Sequence, residues 1–223
     1  ILGNKYKITG CNGEMQVTAH GECDGSDHIE CCADPSTFGV MLSSAKSEIN
    51  INVKDGKLST VSGSSKFNIK TIDSDMYPML SMSGNTNNVN LRELISWVNK
   101  ASAIKDVRPG LTGTCIHADG EMLHAVATDG SMIMRNQIDS DIDAFDIILP
   151  PQSAEYLSQI DTYGFYCDRG SLKAECKTKG IEIITKLIDA KFPAYQRLIT
   201  DYDNKFTVNR QDLIDKKIRS VFL

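Results

Sequence analysis

Hydrophobic positions change period several times along this chain, and each change marks an element. Between Asn90 and Ala103, Leu91, Leu94, Ile95 and Val98 recur at helical spacing, while Arg92, Ser96, Asn99 and Lys100 lie away from that face. Asn90 is placed to cap this helix, and Glu93 three residues on completes a capping box. Lys105-Asp106-Val107-Arg108-Pro109-Gly110 then reads as a polar loop with two turn formers. Strand-like runs follow at 111–117, 122–128, 132–138 and 145–149, with turns at Ala118-Asp119-Gly120-Glu121 and Asp129-Gly130. After Pro150-Pro151, Ala154, Leu157 and Ile160 with Tyr156 give a second short amphipathic helix. Runs at 165–168, 171–176 and 181–187 again have strand character and turn at Arg169-Gly170 and Lys179-Gly180. The order is helix, strands, helix, strands, which predicts α+β domains of two similar halves with short antiparallel hairpins.

The first part of the chain, a clipped copy, fits the same outline from its first hairpin onward. Asp34-Pro35 opens a helix whose Phe38, Met41, Leu42 and Ala45 keep apolar spacing. A meander over 48–53, 57–62 and 66–71 follows, turning at Asp55-Gly56 and Gly63-Ser64. Short matches tie the parts together. Val89-Asn90-Leu91-Arg92-Glu93-Leu94-Ile95 returns 119 positions later as Val208-Asn209-Arg210-Gln211-Asp212-Leu213-Ile214. Gly13-Glu14-Met15 returns as Gly120-Glu121-Met122, and Ile72-Asp73 with Tyr77-Pro78 as Ile188-Asp189 with Phe192-Pro193. A period of this length is a whole domain, not a solenoid turn. The expected boundaries are a first domain at 1–83, clipped at its start, a complete second at 84–203, and the opening of a third at 204–223. The chain opens without Met and stops inside a helical pattern, so it is expected to be a piece of a longer protein.

Composition narrows the function. At 41% hydrophobic and 24% charged residues, the chain has the balance of a soluble globular protein. A formal charge of −5 argues against an indiscriminate nucleic-acid coat, because non-specific affinity comes from phosphate neutralisation by Lys and Arg. Seven cysteines with no secretory signal read as reduced thiols of a cytoplasmic protein. There is no Gly-rich phosphate loop, nucleophile elbow or metalloprotease helix, so the residues indicate no enzyme and no cofactor. Asp139, Asp141, Asp143 and Asp146 read as solvation of a loop.

Three segments carry a family resemblance. They are Val107-Arg108-Pro109 with Leu111-Thr112-Gly113, Ala125-Val126-Ala127-Thr128-Asp129-Gly130, and Lys186-Leu187-Ile188-Asp189-Ala190-Lys191-Phe192-Pro193-Ala194-Tyr195-Gln196-Arg197-Leu198-Ile199. In that order and spacing they resemble the middle domain of the bacterial sliding clamp family, the beta subunits of DNA polymerase III. Ile1-Leu2-Gly3-Asn4 and the segment from Ser65 to Pro78 look like the family's first domain, and Phe206 to Leu223 like the start of its third.

The resemblance implies tandem DNA-clamp domains in a head-to-tail homodimeric ring when full length, threaded by double-stranded DNA without sequence preference. It implies the polymerase III catalytic subunit, the clamp loader and other proteins with clamp-binding motifs as partners. A clamp built from two-domain subunits is disfavoured by the repeat at Val208, where a third domain begins.

Carried over position by position, the partner-peptide pocket comprises Leu111, Thr128, Gly130, Ser131, Met132, Ile133, Pro193, Arg197 and Leu198. Apolar walls suit a Leu or Phe anchor, and a glycine permits close approach. Ser131 and Met132 depart from the His-Arg usual in the family, so the polar rim differs here. The plain alternative is that Leu111, Ile133 and Leu198 are ordinary core residues. The DNA-binding candidates are Arg92, Lys100, Lys105, Arg108 and Lys46, joined by Arg210, Lys216, Lys217 and Arg219 of the last helical segment. The rival of a different class is a metal-binding or redox protein built on His20, Cys23, His28 and Cys31, with Cys32 beside them. These are soft ligands in one short stretch, but their spacing matches no common zinc signature.

Overall fold

The computed structural model describes residues 1–25, 28–45, 48–168, 170–199 and 207–211. The chain divides into two units, Ile1–Phe192 and Pro193–Leu223. The first unit begins with β1 (Lys5–Cys11), β2 (Met15–Glu22), β3 (Cys32–Ala33), α1 (Pro35–Ser44), β4 (Asn50–Lys54), β5 (Lys57–Ser62) and β6 (Ser65–Ile72). It continues with α2 (Leu91–Ile95), α3 (Pro109–Thr112), β7 (Thr114–Ala118), β8 (Met122–Thr128), β9 (Ile133–Asp139) and β10 (Phe145–Leu149). It ends with α4 (Pro151–Leu157), β11 (Gly164–Cys167), β12 (Ser171–Cys176) and β13 (Ile181–Lys186). The strands pair as antiparallel sheets in the orders β3-β6-β5-β4, β10-β7-β8-β9 and β1-β2-β13-β12-β11. This is the α+β arrangement that the hydrophobic periods imply.

The main core lies between α2, α4 and the inward faces of two sheets. Leu91, Leu94, Ile95, Ala154 and Leu157 from the helices bury against Ile116, Leu123, Leu149, Phe165, Leu172 and Ile183. Burying such side chains is the dominant favourable contribution to the fold, roughly 1.5–3 kcal/mol for each large one. A smaller core of Met41, Leu58 and Ile69 sits under α1, with Phe38 packed against it. Leu42, expected on the apolar face of α1, is instead 43% exposed, because that small core takes only one stripe of the helix.

Two sequence expectations are corrected by neighbours distant in sequence. The helix expected over 90–103 does begin with Asn90, whose side chain accepts from the Arg92 amide at 3.1 Å. It stops at Ile95 and resumes as a 3₁₀ turn at Val98–Ala101. Asn136 of β9 explains the break: its Nδ2 donates to the Glu93 and Leu94 carbonyls at 2.9 and 3.1 Å, acceptors that a continuing helix would use. The strand expected from position 111 starts only at Thr114. Pro109 instead opens one helical turn, closed by Thr112 Oγ1 donating to the Pro109 carbonyl at 2.8 Å.

The repeat read from the sequence has a structural counterpart in the turns. Asn12 Oδ1 accepts from the amides of Glu14 and Met15 at 3.0 and 2.8 Å, and Asp119 Oδ1 accepts from Glu121 and Met122 at the same distances. The β1–β2 and β7–β8 hairpins thus share one turn chemistry. Segment 77–90 then crosses the five-stranded sheet as an extended strap. Tyr77 Oη donates to the Thr9 carbonyl at 3.4 Å, Leu80 N to the buried Gln16 Oε1 at 2.8 Å, and Asn87 N to the Phe165 carbonyl at 2.9 Å. Phe165 N donates back to Asn87 Oδ1 at 3.1 Å, so the strap covers the free edge of β11.

On the outer face of the β7–β8 pair, His117 and His124 stack with ring centroids 4.5 Å apart and planes at 19°. Burial, then the neighbouring His124, pushes the His117 pKa below its ordinary 6.5. Between that value and the lowered one the unfolded chain binds more protons than the folded chain. The contribution of His117 to stability is therefore complete above pH 6.5 and is lost as pH falls toward the lowered value. Denaturant midpoints measured between about pH 7.5 and about pH 5 should fall with acidity, and His117→Phe, which keeps a ring in the stack, should flatten that dependence.

Candidate functional site

The β8–β9 hairpin is fixed at its tip by its own side chains. Thr128 Oγ1 donates to the Met132 carbonyl at 2.6 Å and accepts from the Gly130 amide at 3.1 Å. Asp129 Oδ1 accepts from the amides of Ser131 and Met132, both at 2.8 Å, and these bonds hold its carboxyl below the usual carboxylate range. Gly130 has φ +93°, a left-handed conformation that disfavours side chains. Ser131 and Met132 form the exposed tip, Met132 at 49%, and Ile133 begins β9 half-buried opposite Thr128. The result is a rigid, partly apolar projection with a polarizable thioether at its end.

The turn of α3 stands beside this hairpin. Leu111 N donates to the Arg108 carbonyl at 3.0 Å and the Leu111 carbonyl accepts from Ala103 N at 2.9 Å, holding a side chain that is only 2% exposed. A Cβ added at Gly110 would stand 2.7 Å from the Lys191 carbonyl, so the turn packs tightly against the segment after β13. Arg108 reaches the hairpin itself: a Cβ at Gly130 would lie 3.4 Å from its Nη2. Asp106 holds that guanidinium in place, with Nε to Oδ1 at 2.9 Å and Nη2 to Oδ2 at 3.0 Å. The Asp106 pKa is lowered to about 2, chiefly by this hydrogen bonding. Sequence reasoning grouped Arg108 with the DNA candidates and did not single out Asp106. The Asp-Val-Arg spacing in a polar loop was the available signal for the pair.

The remaining DNA candidates are distributed differently. Arg92 Nη1 contacts both carboxylate oxygens of Asp161 at 2.8 Å. Lys100 and Lys105 are exposed, and between Lys105 and its neighbours the loop presents Ile104 and Val107 at 95% and 96% exposure. Helix α1 carries no charged residue and α4 only Glu155. Lys46, Lys216, Lys217 and Arg219 lie outside the described residues. In the second unit, Tyr195–Leu198 form a 3₁₀ turn with Tyr195 buried, Pro193 and Arg197 exposed and Leu198 at 70% exposure. Arg210 is also exposed there.

The His/Cys stretch does not converge. Among the described residues no three His, Cys, Asp or Glu side chains come together to hold a metal ion. His28 Nε2 lies 3.9 Å from Glu30, Cys23 Sγ lies 3.9 Å from the Gly3 carbonyl, and Cys32 enters β3. All seven cysteines are free thiols, and burial pushes that of Cys167 up to about 11. No helix among the described residues is long and apolar enough to cross a membrane.

Comparison with known proteins adds independent findings. Residues 85–194 match the family model described as DNA polymerase III beta subunit, central domain. The chain is 27% identical to a beta sliding clamp of Pseudomonas aeruginosa over 246 aligned positions, covering 100% of this chain and 65% of that protein. It therefore spans about two thirds of the length of the curated relatives it matches. A crystal structure of the DNA polymerase III subunit beta from Pseudomonas aeruginosa superposes with TM-score 0.82 at 22% identity, covering 91% of this chain and 59% of that one. A Helicobacter pylori beta clamp bound to a DNA ligase peptide gives TM-score 0.84 at 18% identity, covering 100% of this chain and 67% of that one. At these identities the structural likenesses establish the fold.

Gly130→Ala should cost about 1–2 kcal/mol of stability, because an L side chain is strained at positive φ. Equilibrium urea unfolding measures it. A variant as stable as the parent would show that the hairpin tip relaxes freely.

Proposed function

We propose that this chain, a member of the DNA polymerase III beta subunit family, acts as part of a sliding clamp that retains duplex DNA by encircling it and docks partner proteins at the β8–β9 hairpin. The proposed domain limits are 1–83, 84–203 and 204–223. The full-length protein closes as a homodimeric ring in the cytoplasm. The chain has no catalytic role: its effect is topological, because a closed ring cannot leave DNA sideways even when each contact is weak. A net charge of −5 and Arg92 and Arg108 already facing carboxylates fit this reading better than a high-affinity basic groove. DNA contact is assigned to Lys100, Lys105 and Lys46, with no sequence preference, since phosphate contacts carry none.

The single observation that supports partner docking is the locked hairpin of Thr128, Gly130, Ser131, Met132 and Ile133, with Arg108 against Gly130. Leu111, Pro193, Arg197 and Leu198 share the assignment through the family resemblance. A related clamp from Helicobacter pylori has been crystallised with a DNA ligase peptide, which fits short segments of DNA-processing proteins as the partner class. The polymerase III catalytic subunit, the clamp loader and other proteins with clamp-binding motifs are the proposed partners. With Met132 where the family usually has Arg, the hairpin favours apolar anchors over acidic flanks.

Titration of a labelled clamp-binding peptide with Leu and Phe anchors tests the assignment. Ile133→Asp should weaken binding by roughly 1–3 kcal/mol or more, because it sets an unpaired carboxylate against an apolar anchor. Met132→Arg should shift preference toward acidic flanking residues with little change in melting temperature. Unchanged affinity in a folded Ile133→Asp variant would place the peptide elsewhere.

A further inference from the structure

Strand β10 is an edge of its sheet: it pairs with β7 on one side, and its other side faces the segment Leu187–Lys191 that leaves β13. The two meet at one point, where Ile188 N donates to the Ile148 carbonyl at 2.9 Å. They do not continue as a ladder, because Ala190 N turns back to the Ile188 carbonyl at 3.0 Å and coils the segment on itself. Between them lies a groove of about 430 Å³ lined by Asp146, Ile147, Ile148 and the stretch from Leu187 to Lys191.

Antiparallel pairing alternates, so the outward-facing carbonyl of Ile148 fixes the direction of its neighbours. Asp146, two residues earlier, must turn its own amide and carbonyl into the same groove. Its side chain is anchored on the sheet, where the buried Cys115 thiol donates to Oδ1 at 3.3 Å. Asp189 adds a second carboxylate to the wall. The groove thus offers a backbone donor and acceptor at Asp146, two carboxylates and one lysine.

We propose that this groove is a second docking site, which receives an extended segment of a partner protein as an added strand on β10, with a Lys or Arg side chain seated at Asp146 and Asp189. Backbone pairing at Asp146 supplies affinity without sequence preference, and the two carboxylates select a basic residue. Lys191 at the end of the lining sets polarity, favouring an acidic residue further along the same segment. The site shares no residue with the hairpin pocket, so the two assignments stand or fall separately.

The test uses the whole chain, labelled with ¹⁵N, and a blocked pentapeptide Thr-Val-Arg-Val-Thr as probe. Amide shifts should move at Asp146 and Ile148. Affinity should drop about tenfold for Asp189→Asn, for the exposed charge-removing Asp146→Asn, and for a peptide with Glu replacing Arg. A peptide with Pro replacing one Val should lose binding, since it lacks a ladder donor. Melting curves check that both variants fold. Absence of binding at about 1 mM peptide, equal binding of the Pro peptide, or shifts confined to the 128–133 hairpin would overturn the proposal.

Discussion

The antiparallel pairing of β13 with β2, which sets Ile181 opposite Ala19 and Thr185 opposite Met15, joins the N-terminal hairpin and the strands after α4 into one sheet. Strand β1 and β2 alone make a two-stranded hairpin, which is marginal in water. Strands β11 to β13 alone would leave β13 as an open edge. Each solves the other's problem, and the strap at 77–90 fastens the junction by bonding to Thr9, Gln16 and Phe165 in turn. The N-terminal hairpin and the later strands are therefore held together by the sheet itself.

The β8–β9 hairpin turns outward through Asp129 and Thr128, whose hydrogen bonds remove local freedom before any partner arrives. Preorganisation of this kind lowers the entropy cost of binding. Arg108 and Asp106 sit at its flank as a preformed ion pair, which adds direction and little net charge. Electrostatics at the expected DNA-facing helices are correspondingly modest. The proposed topological retention would need no strongly basic groove.

Much of this architecture was legible in the chain because it follows from local period and turn chemistry. Strands β8, β10 and β12 coincide with their hydrophobic runs, and α1 and α2 start at Asp34 and Asn90 as their capping side chains indicate. What was illegible depends on partners far along the sequence. The early end of α2 is set by Asn136, and the helical turn at Pro109 by close packing on Lys191. Strand β3, two residues long, is too short to carry alternation. At the candidate site, Thr128, Gly130 and Ile133 came from family motifs, whereas the contact between Arg108 and Gly130 exists only once the chain is folded.

Amide hydrogen exchange of the chain, with and without a saturating clamp-binding peptide, tests the central claim most directly. Docking at the hairpin predicts slower exchange at Gly130 to Ile133 and at Leu111, with β1, β4 and β5 unchanged. Protection that appears in those outlying strands while the 128–133 hairpin exchanges as before would contradict it.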